Sequence, residues 1–223
     1  MEKVQLLLRQ HVGAPCAPCV AVGDKVKKGT LIATPTGLGA NIFSSVYGEV
    51  CEILEDRIVI KADAEQPDEF VPIDVPEDAS KLDMIKAAGI VGMGGAGFPT
   101  GIKLNIDLSA TEQGEFREDI NPELPKDFKL EHSYILINDS ECEPGLAHNI
   151  KQTIEQTDKV IRGVKYCMEI TKADKAIFAI KKKNREAVLA LLDALKDEEN
   201  ISVHLLPDIY PMGEERAVVR ECL

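Results

Sequence analysis

The chain has 223 residues, of which 44% are hydrophobic, so it can enclose one large core or two small ones. Its 38 Asp and Glu outnumber its 26 Lys and Arg and give a net charge of −12, which would repel a phosphate backbone and argues against a nucleic-acid partner. No apolar run approaches the roughly 20 residues of a membrane span, and no basic-then-apolar signal pattern opens the chain. We therefore expect a cytoplasmic protein with no direct membrane span.

Residues 1–62 predict a small all-β domain, because short β-prone runs alternate there with Gly and Pro. This segment contains a C-x-x-C pair, Cys16 and Cys19. Six cysteines scattered through a chain of this length favour reduced thiols. Three interpretations of the pair are open: two structural thiols, a redox or intermolecular dithiol, or half of a metal site. No second Cys or His pair stands at metal spacing, and no four-cysteine run of the iron–sulfur type is present.

Residues 63–80 are acidic and interrupted by proline, which indicates a linker at a domain boundary. A helix is predicted at residues 81–88, and a stretch with five glycines between positions 89 and 97 follows it. Residues 92–97 match the G-x-G-x-x-G dinucleotide pattern, but that motif needs a preceding strand, and a helix precedes it here. Pro99 fits the first position of a short helix. A glycine loop that leads into a helix predicts an anionic or planar ligand.

The remainder of the chain alternates between strand and helix patterns. After a long surface loop at residues 105–130, strands are predicted at 134–138, 176–180 and 201–206, with helices at 149–169 and 184–196. This βαβαβ order predicts a parallel sheet covered by helices, and hence an α/β fold behind the small all-β domain. Ligands bind beyond the carboxyl ends of such strands, where Asn138 and Tyr210 stand.

Three motifs in the second part of the chain resemble those of one flavoprotein family. Residues 92–103 resemble, without a gap, the flavin loop of the NADH-binding subunit of respiratory complex I and of its RnfC-like relatives. Residues 138–145 resemble the family's Asn-x-x-Glu-x-Glu-Pro motif, although Ser140 stands where complex I has an aspartate. Residues 210–218 resemble its Gly-Glu-Glu-x-Ala and Tyr-Pro-x-Gly-x-Glu strings.

The first part of the chain resembles a biotinyl or lipoyl carrier domain at residues 22–33 and 45–50. A swinging-arm carrier is disfavoured because residues 34–45 contain no lysine. With residues 11–15 ahead of it, the segment is similar to the barrel-sandwich hybrid domain of RnfC-like proteins. The resemblance therefore implies such a domain at 1–62, a linker at 63–80 and a complex-I-flavoprotein-like FMN/NADH-binding domain at 81–223.

The resemblance also implies cofactors and their contacts. FMN and NADH are expected to bind without any catalytic side chain, while Cys16 and Cys19 remain possible redox thiols. Phe98 is expected to stack on the nucleotide, and the acidic residues are expected to orient the ribose or nicotinamide. The expected cofactor-binding residues are Gly92, Gly94, Gly95, Ala96, Gly97, Phe98, Lys103, Asn138, Glu141, Glu143, Gly213, Glu214 and Glu215.

Two functional hypotheses follow from the resemblance. In the first, an electron-transfer flavoprotein module passes a hydride from NADH to FMN and then single electrons to an iron–sulfur centre, a partner protein or membrane-complex subunits, with the chain peripheral to the complex. In the second, the chain is a non-catalytic assembly or docking subunit. The second gains support because the family continues beyond this length with 4Fe-4S clusters whose ligands are absent here. The C-x-x-C pair is similar to that of a PrdC-like subgroup.

Cys142 and the histidines carry no clear motif. Cys142 lies between two glutamates and is expected to be structural. His148 is either a proton relay or an ordinary histidine on a helix surface, and the surface role is favoured.

Overall fold

The computed structural model describes residues 2–93, 95–109 and 131–223. The chain divides into two compact units, residues 1–105 and 106–223. Most of the surface loop predicted at residues 105–130 lies outside the described residues.

The first unit contains two antiparallel sheets around one apolar core. Its strands are β1 (Lys3–Leu7), β2 (Cys16–Pro18), β3 (Lys25–Val26), β4 (Leu31–Pro35), β5 (Ile42–Phe43), β6 (Gly48–Ile53) and β7 (Arg57–Ala62). One sheet has the order β1-β7-β6-β3 and the other β2-β4-β5. Ile32 and Val50, on different sheets, are both fully buried in the shared core, which is the all-β domain that the sequence predicted.

The segment that follows the barrel remains attached to it. Gln66 and Tyr47 exchange two hydrogen bonds, of 3.0 and 2.8 Å, and the Val71 N–H donates to the Lys28 carbonyl at 2.8 Å. Helix α1 (Lys81–Ala87) then begins at a capping box. Helix α2 (Thr100–Lys103) starts one residue later than predicted, with Pro99 as its N-cap. The linker predicted at 63–80 stays a prediction, since the compact unit runs on to residue 105.

The second unit contains the predicted parallel sheet. Its strands are β8 (Tyr134–Asp139), β9 (Lys175–Lys181) and β10 (Ile201–Leu206), and its helices are α3 (His148–Glu155), α4 (Thr157–Thr171), α5 (Arg185–Ala194) and α6 (Glu215–Cys222). The strand order is β10-β9-β8, and both pairings are parallel. All three strands therefore deliver their carboxyl ends to one edge of the sheet.

The central strand packs on both faces of this sheet. Phe178 and Ile180 are buried in a cluster with residues of α4 and α5. Ala179, which points to the other face, is buried with Met212 and with Val218 of α6. Because β9 is covered on both sides, it reads as a continuous apolar run in the sequence.

One helix prediction was wrong. The helix expected at 149–169 is two helices, because Gln156 leaves the helical region at φ −136° and ψ 35°. The Thr157 hydroxyl donates to the Thr153 carbonyl at 2.6 Å and offers the backbone an alternative to a regular helical turn. None of the helices in the described part of the chain is long and apolar enough to cross a bilayer.

Candidate functional site

The glycine loop is a closed loop of the first unit. Val91 and Pro99 form an antiparallel bridge, and the Gly92 N–H donates to the Phe98 carbonyl at 2.9 Å. The Ala96 carbonyl near its tip accepts a 2.9 Å hydrogen bond from the Val12 N–H of the barrel. Hydrogen bonds therefore hold the two ends of the loop together and attach Ala96 to the barrel.

Two glycines of this loop have different roles. Gly97 is buried with φ +69°, and a Cβ there would lie 2.9 Å from the Gln10 carbonyl oxygen and 3.0 Å from the His11 Cα. A Cβ at Gly95 would meet nothing within 4 Å. Gly97 is therefore required for packing against the barrel, whereas Gly95 leaves open space above the backbone.

The other predicted residues of the loop are accessible. Gly92 and Ala96 are exposed, Phe98 keeps 43% of its surface exposed, and Lys103 is exposed at the end of α2. Gly94 lies outside the described residues. An accessible aromatic ring is available for stacking on a planar ligand, so the role predicted for Phe98 remains open to test.

In the second unit, side chains tie the loop after β8 to the loop after β10. The Asn138 amide donates to the Gly213 carbonyl at 2.8 Å, and the Gly213 N–H donates to the Cys142 Sγ at 2.9 Å. The buried Ser140 hydroxyl lies 2.8 Å from the Asn138 Oδ1 and 3.3 Å from the Met212 carbonyl oxygen. Asn138, Ser140 and Gly213 therefore build the strand-end edge, and Cys142 has the structural role expected of it.

Glu141 carries a buried carboxylate at the end of β8 that the described residues leave without a hydrogen bond. Its side chain is 7% exposed, and neither oxygen accepts a hydrogen bond from another described residue. The His148 Nδ1 lies 2.8 Å from Oε1 and forms an ion pair with it when the imidazole is protonated, and the histidine is itself 56% exposed. A buried acceptor costs folding free energy unless a donor reaches it, and either this histidine or a ligand can supply that donor.

Asp139 is a second buried carboxylate, which the sequence motifs did not indicate. Its side chain is turned to the helix side of the sheet, where the Thr153 hydroxyl donates to its Oδ2 at 2.9 Å. Burial raises the pKa of Asp139 to about 6; the Thr153 bond opposes this rise and the charge of Glu141 adds to it. The alternation along β8, in which Ile135 and Ile137 face the helices, could have placed residue 139 there.

The other predicted carboxylates are less enclosed. The Glu214 Oε2 accepts the Ala217 N–H at 3.0 Å and caps the N-terminus of α6. Glu215 lies in the first turn of that helix, and both it and Glu143 are exposed. Of the four predicted acidic residues, Glu141 is the one whose carboxylate is buried without a hydrogen bond from the described residues.

The C-x-x-C thiols are directed to different partners. The buried Cys16 Sγ donates to the Ala40 carbonyl at 3.3 Å and lies 3.5 Å from the His11 Nε2, while the exposed Cys19 Sγ donates to the Leu31 carbonyl at 3.5 Å. Desolvation raises the pKa of both thiols, which disfavours the reactive thiolate. Their redox role stays a prediction. Among the described residues, no three His, Cys, Asp or Glu are grouped to hold a metal ion.

The barrel and the parallel sheet define a protein of two joined domain types. The model of the Nuo51 FMN-binding domain matches residues 85–223, and that of the RnfC barrel sandwich hybrid domain matches residues 1–71. The chain therefore belongs to the Nuo51 FMN-binding domain family and is RnfC-like, which confirms the family and the fold that its motifs predicted. Its assignment to a PrdC-like subgroup stays a prediction.

Curated relatives extend this similarity over nearly the whole chain. One subunit of the proton-translocating ferredoxin:NAD(+) oxidoreductase complex of Clostridium ljungdahlii is 34% identical over 98% of the chain and 46% of its own length. Its counterpart in the Na(+)-translocating complex of Acetobacterium woodii is 30% identical over 98% of the chain and 48% of its own length. The cobalamin reductase PduS of Salmonella typhimurium is 35% identical over 59% of the chain and 23% of its own length. The chain thus spans about half the length of the first two relatives.

The residues present fit the FMN that the family implies. The Glu141 carboxylate is a buried acceptor that needs a donor, and the N–H and hydroxyl groups of a flavin are donors. The open space at Gly95 lets a planar ring approach the backbone. Each unit therefore presents a surface of the kind that such a ligand requires.

Proposed function

We propose that the chain is the FMN- and NAD(H)-binding module of an electron-transfer system. The observation that carries the proposal is the Glu141 carboxylate, buried at a strand end where it accepts no hydrogen bond from the described residues and has only the exposed His148 beside it. The carboxyl edge of a parallel sheet is where ligands of α/β proteins bind. A ligand N–H or O–H directed at Glu141 would satisfy the carboxylate and would remove the penalty of its burial.

Each residue of the proposed site then has its own role. Glu141 accepts the ligand hydrogen bond, while Asn138, Ser140 and Gly213 hold the edge in shape through their mutual hydrogen bonds. The glycine loop offers exposed backbone and the Phe98 ring. The chemistry that FMN would supply when held there is hydride acceptance from a reduced nicotinamide and one-electron transfer. Proposed cofactor contacts are Gly92, Gly94, Gly95, Ala96, Gly97, Phe98, Lys103, Asn138, Glu141, Glu143, Gly213, Glu214 and Glu215.

The donor and the acceptor are the finer part of the proposal. Two relatives are named as parts of ferredoxin:NAD(+) oxidoreductase complexes, which supports NAD(H) as the nucleotide partner. The acceptor would be an iron–sulfur centre or a partner protein outside the described residues, within which no metal-ligand group occurs. We propose that the chain lies at the periphery of such a complex.

The role of Glu141 is tested by titrating flavin-free protein with FMN and measuring binding from the quenching of flavin fluorescence. Glu141→Gln keeps the shape and removes the charged acceptor, so the FMN affinity should fall about tenfold or more. Glu186→Gln, an exposed carboxylate on α5, makes the same charge change and should leave the affinity unchanged. Equal affinities in the wild type and in Glu141→Gln would remove Glu141 from the site.

Colour separates the two functional hypotheses. Protein reconstituted with FMN should show visible flavin absorbance that NADH bleaches under anaerobic conditions. A wild-type protein that takes up no FMN at micromolar concentration would refute the flavin module and leave the assembly or docking role.

A further inference from the structure

A cleft of about 490 Å³ opens within the first unit, next to the glycine loop. One wall is formed by residues 91–93 and 95–97 of the glycine loop, and the other by the turn after β1, residues 9–12. The barrel domain therefore contributes one of the two walls. No motif in the sequence indicated that this turn belongs to a site.

The turn is held rigidly beside the loop. His11 is 6% exposed, and its Nδ1 lies 3.1 Å from the Val12 carbonyl oxygen, a contact that requires the proton on Nδ1. The Nε2 is then free to accept the Ala40 N–H at 3.1 Å. Since the Val12 N–H also donates to the Ala96 carbonyl, a continuous set of hydrogen bonds joins the barrel, the turn and the glycine loop.

Among the described residues that line this cleft, Arg9 is the one with a charged side chain. Its guanidinium makes no hydrogen bond or ion pair with another described residue, although the chain carries a net charge of −12 and offers many carboxylates. Residues of the glycine loop line the same cleft, and a Cβ at Gly95 would meet nothing within 4 Å, so a ligand can approach the backbone there. An unpaired guanidinium beside such an open backbone position suits a phosphate, which Arg binds through paired hydrogen bonds.

We propose that this cleft binds a phosphate group of a nucleotide, with Arg9 as the phosphate-binding cation. The inference deepens the proposed function, on which it rests, and assigns a binding role to the barrel domain. Two ligands carry the required group: the 5′-phosphate of FMN and the pyrophosphate of a pyridine dinucleotide. His11 and Val12 act as positioning residues that keep the turn in place.

The test compares Arg9→Gln with the wild type for paired probes that have or lack phosphate. FMN is paired with riboflavin, and ADP-ribose is paired with adenosine. Loss of a charge-assisted hydrogen bond should weaken one phosphate-bearing probe about tenfold and leave its phosphate-free partner unchanged. A loss confined to FMN identifies the flavin phosphate, and a loss confined to ADP-ribose identifies the dinucleotide.

Two further variants separate a specific role from a general charge effect. Lys25→Gln removes one positive charge from an exposed pair with Glu49 on the same barrel and should leave all four affinities unchanged. Arg9→Lys keeps the charge without the paired geometry and should recover part of the loss. Because Arg9 is exposed, its variants should unfold at the wild-type temperature.

Equal affinities of Arg9→Gln and the wild type for both FMN and ADP-ribose would overturn the inference. The proposed FMN binding would still be tested separately by Glu141→Gln. Binding of ADP-ribose that depends on Arg9 in a protein without FMN uptake would support the cleft and refute the flavin module. A wild type that binds neither phosphate probe would overturn both.

Discussion

The glycine loop of the first unit and the strand-end loops of the second meet the needs of a ligand in opposite ways. The glycine loop is fixed by backbone hydrogen bonds, such as that from Val12 to Ala96, and offers space because side chains are missing. The strand-end loops are fixed by side chains and offer charge, since Asp139 and Glu141 are both buried there.

This difference determines how substitutions in each region should change stability and binding. In the glycine loop a substitution acts sterically, and its effect on stability depends on whether the position faces the barrel or open space. At the strand ends a substitution acts through charge, because buried carboxylates lower the stability of the ligand-free protein. Substitutions should therefore separate folding from binding at different positions in the two regions.

The largest expected effect is on the steric side, at Gly97. Gly97→Val forces a β-branched residue into φ +69° and brings its Cβ within 2.9 Å of the Gln10 carbonyl oxygen, so we expect a loss of about 3 kcal/mol of unfolding free energy. Gly95→Val meets nothing within 4 Å and should unfold like the wild type. Thermal unfolding of the two variants measures the contrast.

Ligand titration completes this contrast. Gly95→Val should weaken nucleotide binding in a protein of normal stability, because its side chain fills the space beside the loop. Equal loss of stability in both variants would mean that the packing of Gly97 against the barrel is not what distinguishes the two positions. The sequence alone gave these two glycines the same role, since nothing in their spacing distinguishes them.

The electrostatic side is tested by the pH dependence of stability. The pKa of Asp139 is raised to about 6 in the folded state from an ordinary value near 3.8, so the folded protein binds the extra proton between these values. The stability contributed by this group is therefore lost as the pH rises from about 4 through 6. Asp139→Asn should raise the unfolding free energy by about 3 kcal/mol at pH 8 and by nothing below pH 4.

Asp174 is the matched control for this prediction. Two hydrogen bonds from Ser133 lower the pKa of Asp174 and favour its charged form. Asp174→Asn should therefore destabilise the protein near neutral pH and converge with the wild type in acid, the opposite trend. A curve for Asp139→Asn that runs parallel to the wild type from pH 4 to 8 would show that residue 139 is not buried as a charge.

Local patterns were sufficient for most of the fold. The apolar run at 176–180 predicted β9 because that strand is covered on both faces, and the glycine and acidic motifs located both loops. Periodicity could not locate the break at Gln156, where side-chain hydrogen bonding of Thr157 competes with a regular helix.

The missed parts of the candidate site depend on contacts between distant residues. Arg9 becomes a site residue because the glycine loop, more than 80 positions later, bonds to Val12. This contact is not encoded in the spacing of neighbouring residues.

The smallest effect is expected at Glu143, on the exposed side of the acidic loop. If its carboxylate faces the nucleotide, it accepts hydrogen bonds from ribose hydroxyls and repels the additional phosphate of NADPH. Such repulsion reaches several kcal/mol at a desolvated site, but solvent screens an exposed carboxylate. We therefore expect Glu143→Gln to narrow the preference for NADH over NADPH by only about threefold, with FMN affinity unchanged.

Anaerobic titration of each flavin-loaded variant with both dinucleotides measures this preference. Glu186→Gln again supplies the same charge change away from the sheet edge and should keep the wild-type ratio. Raising the salt concentration should shrink the difference between Glu143→Gln and the wild type, because screening acts on exposed charges. An unchanged ratio of NADH to NADPH affinity at low salt would place Glu143 outside the nucleotide site. Glu141 would then be the acidic residue of this loop that contacts a ligand.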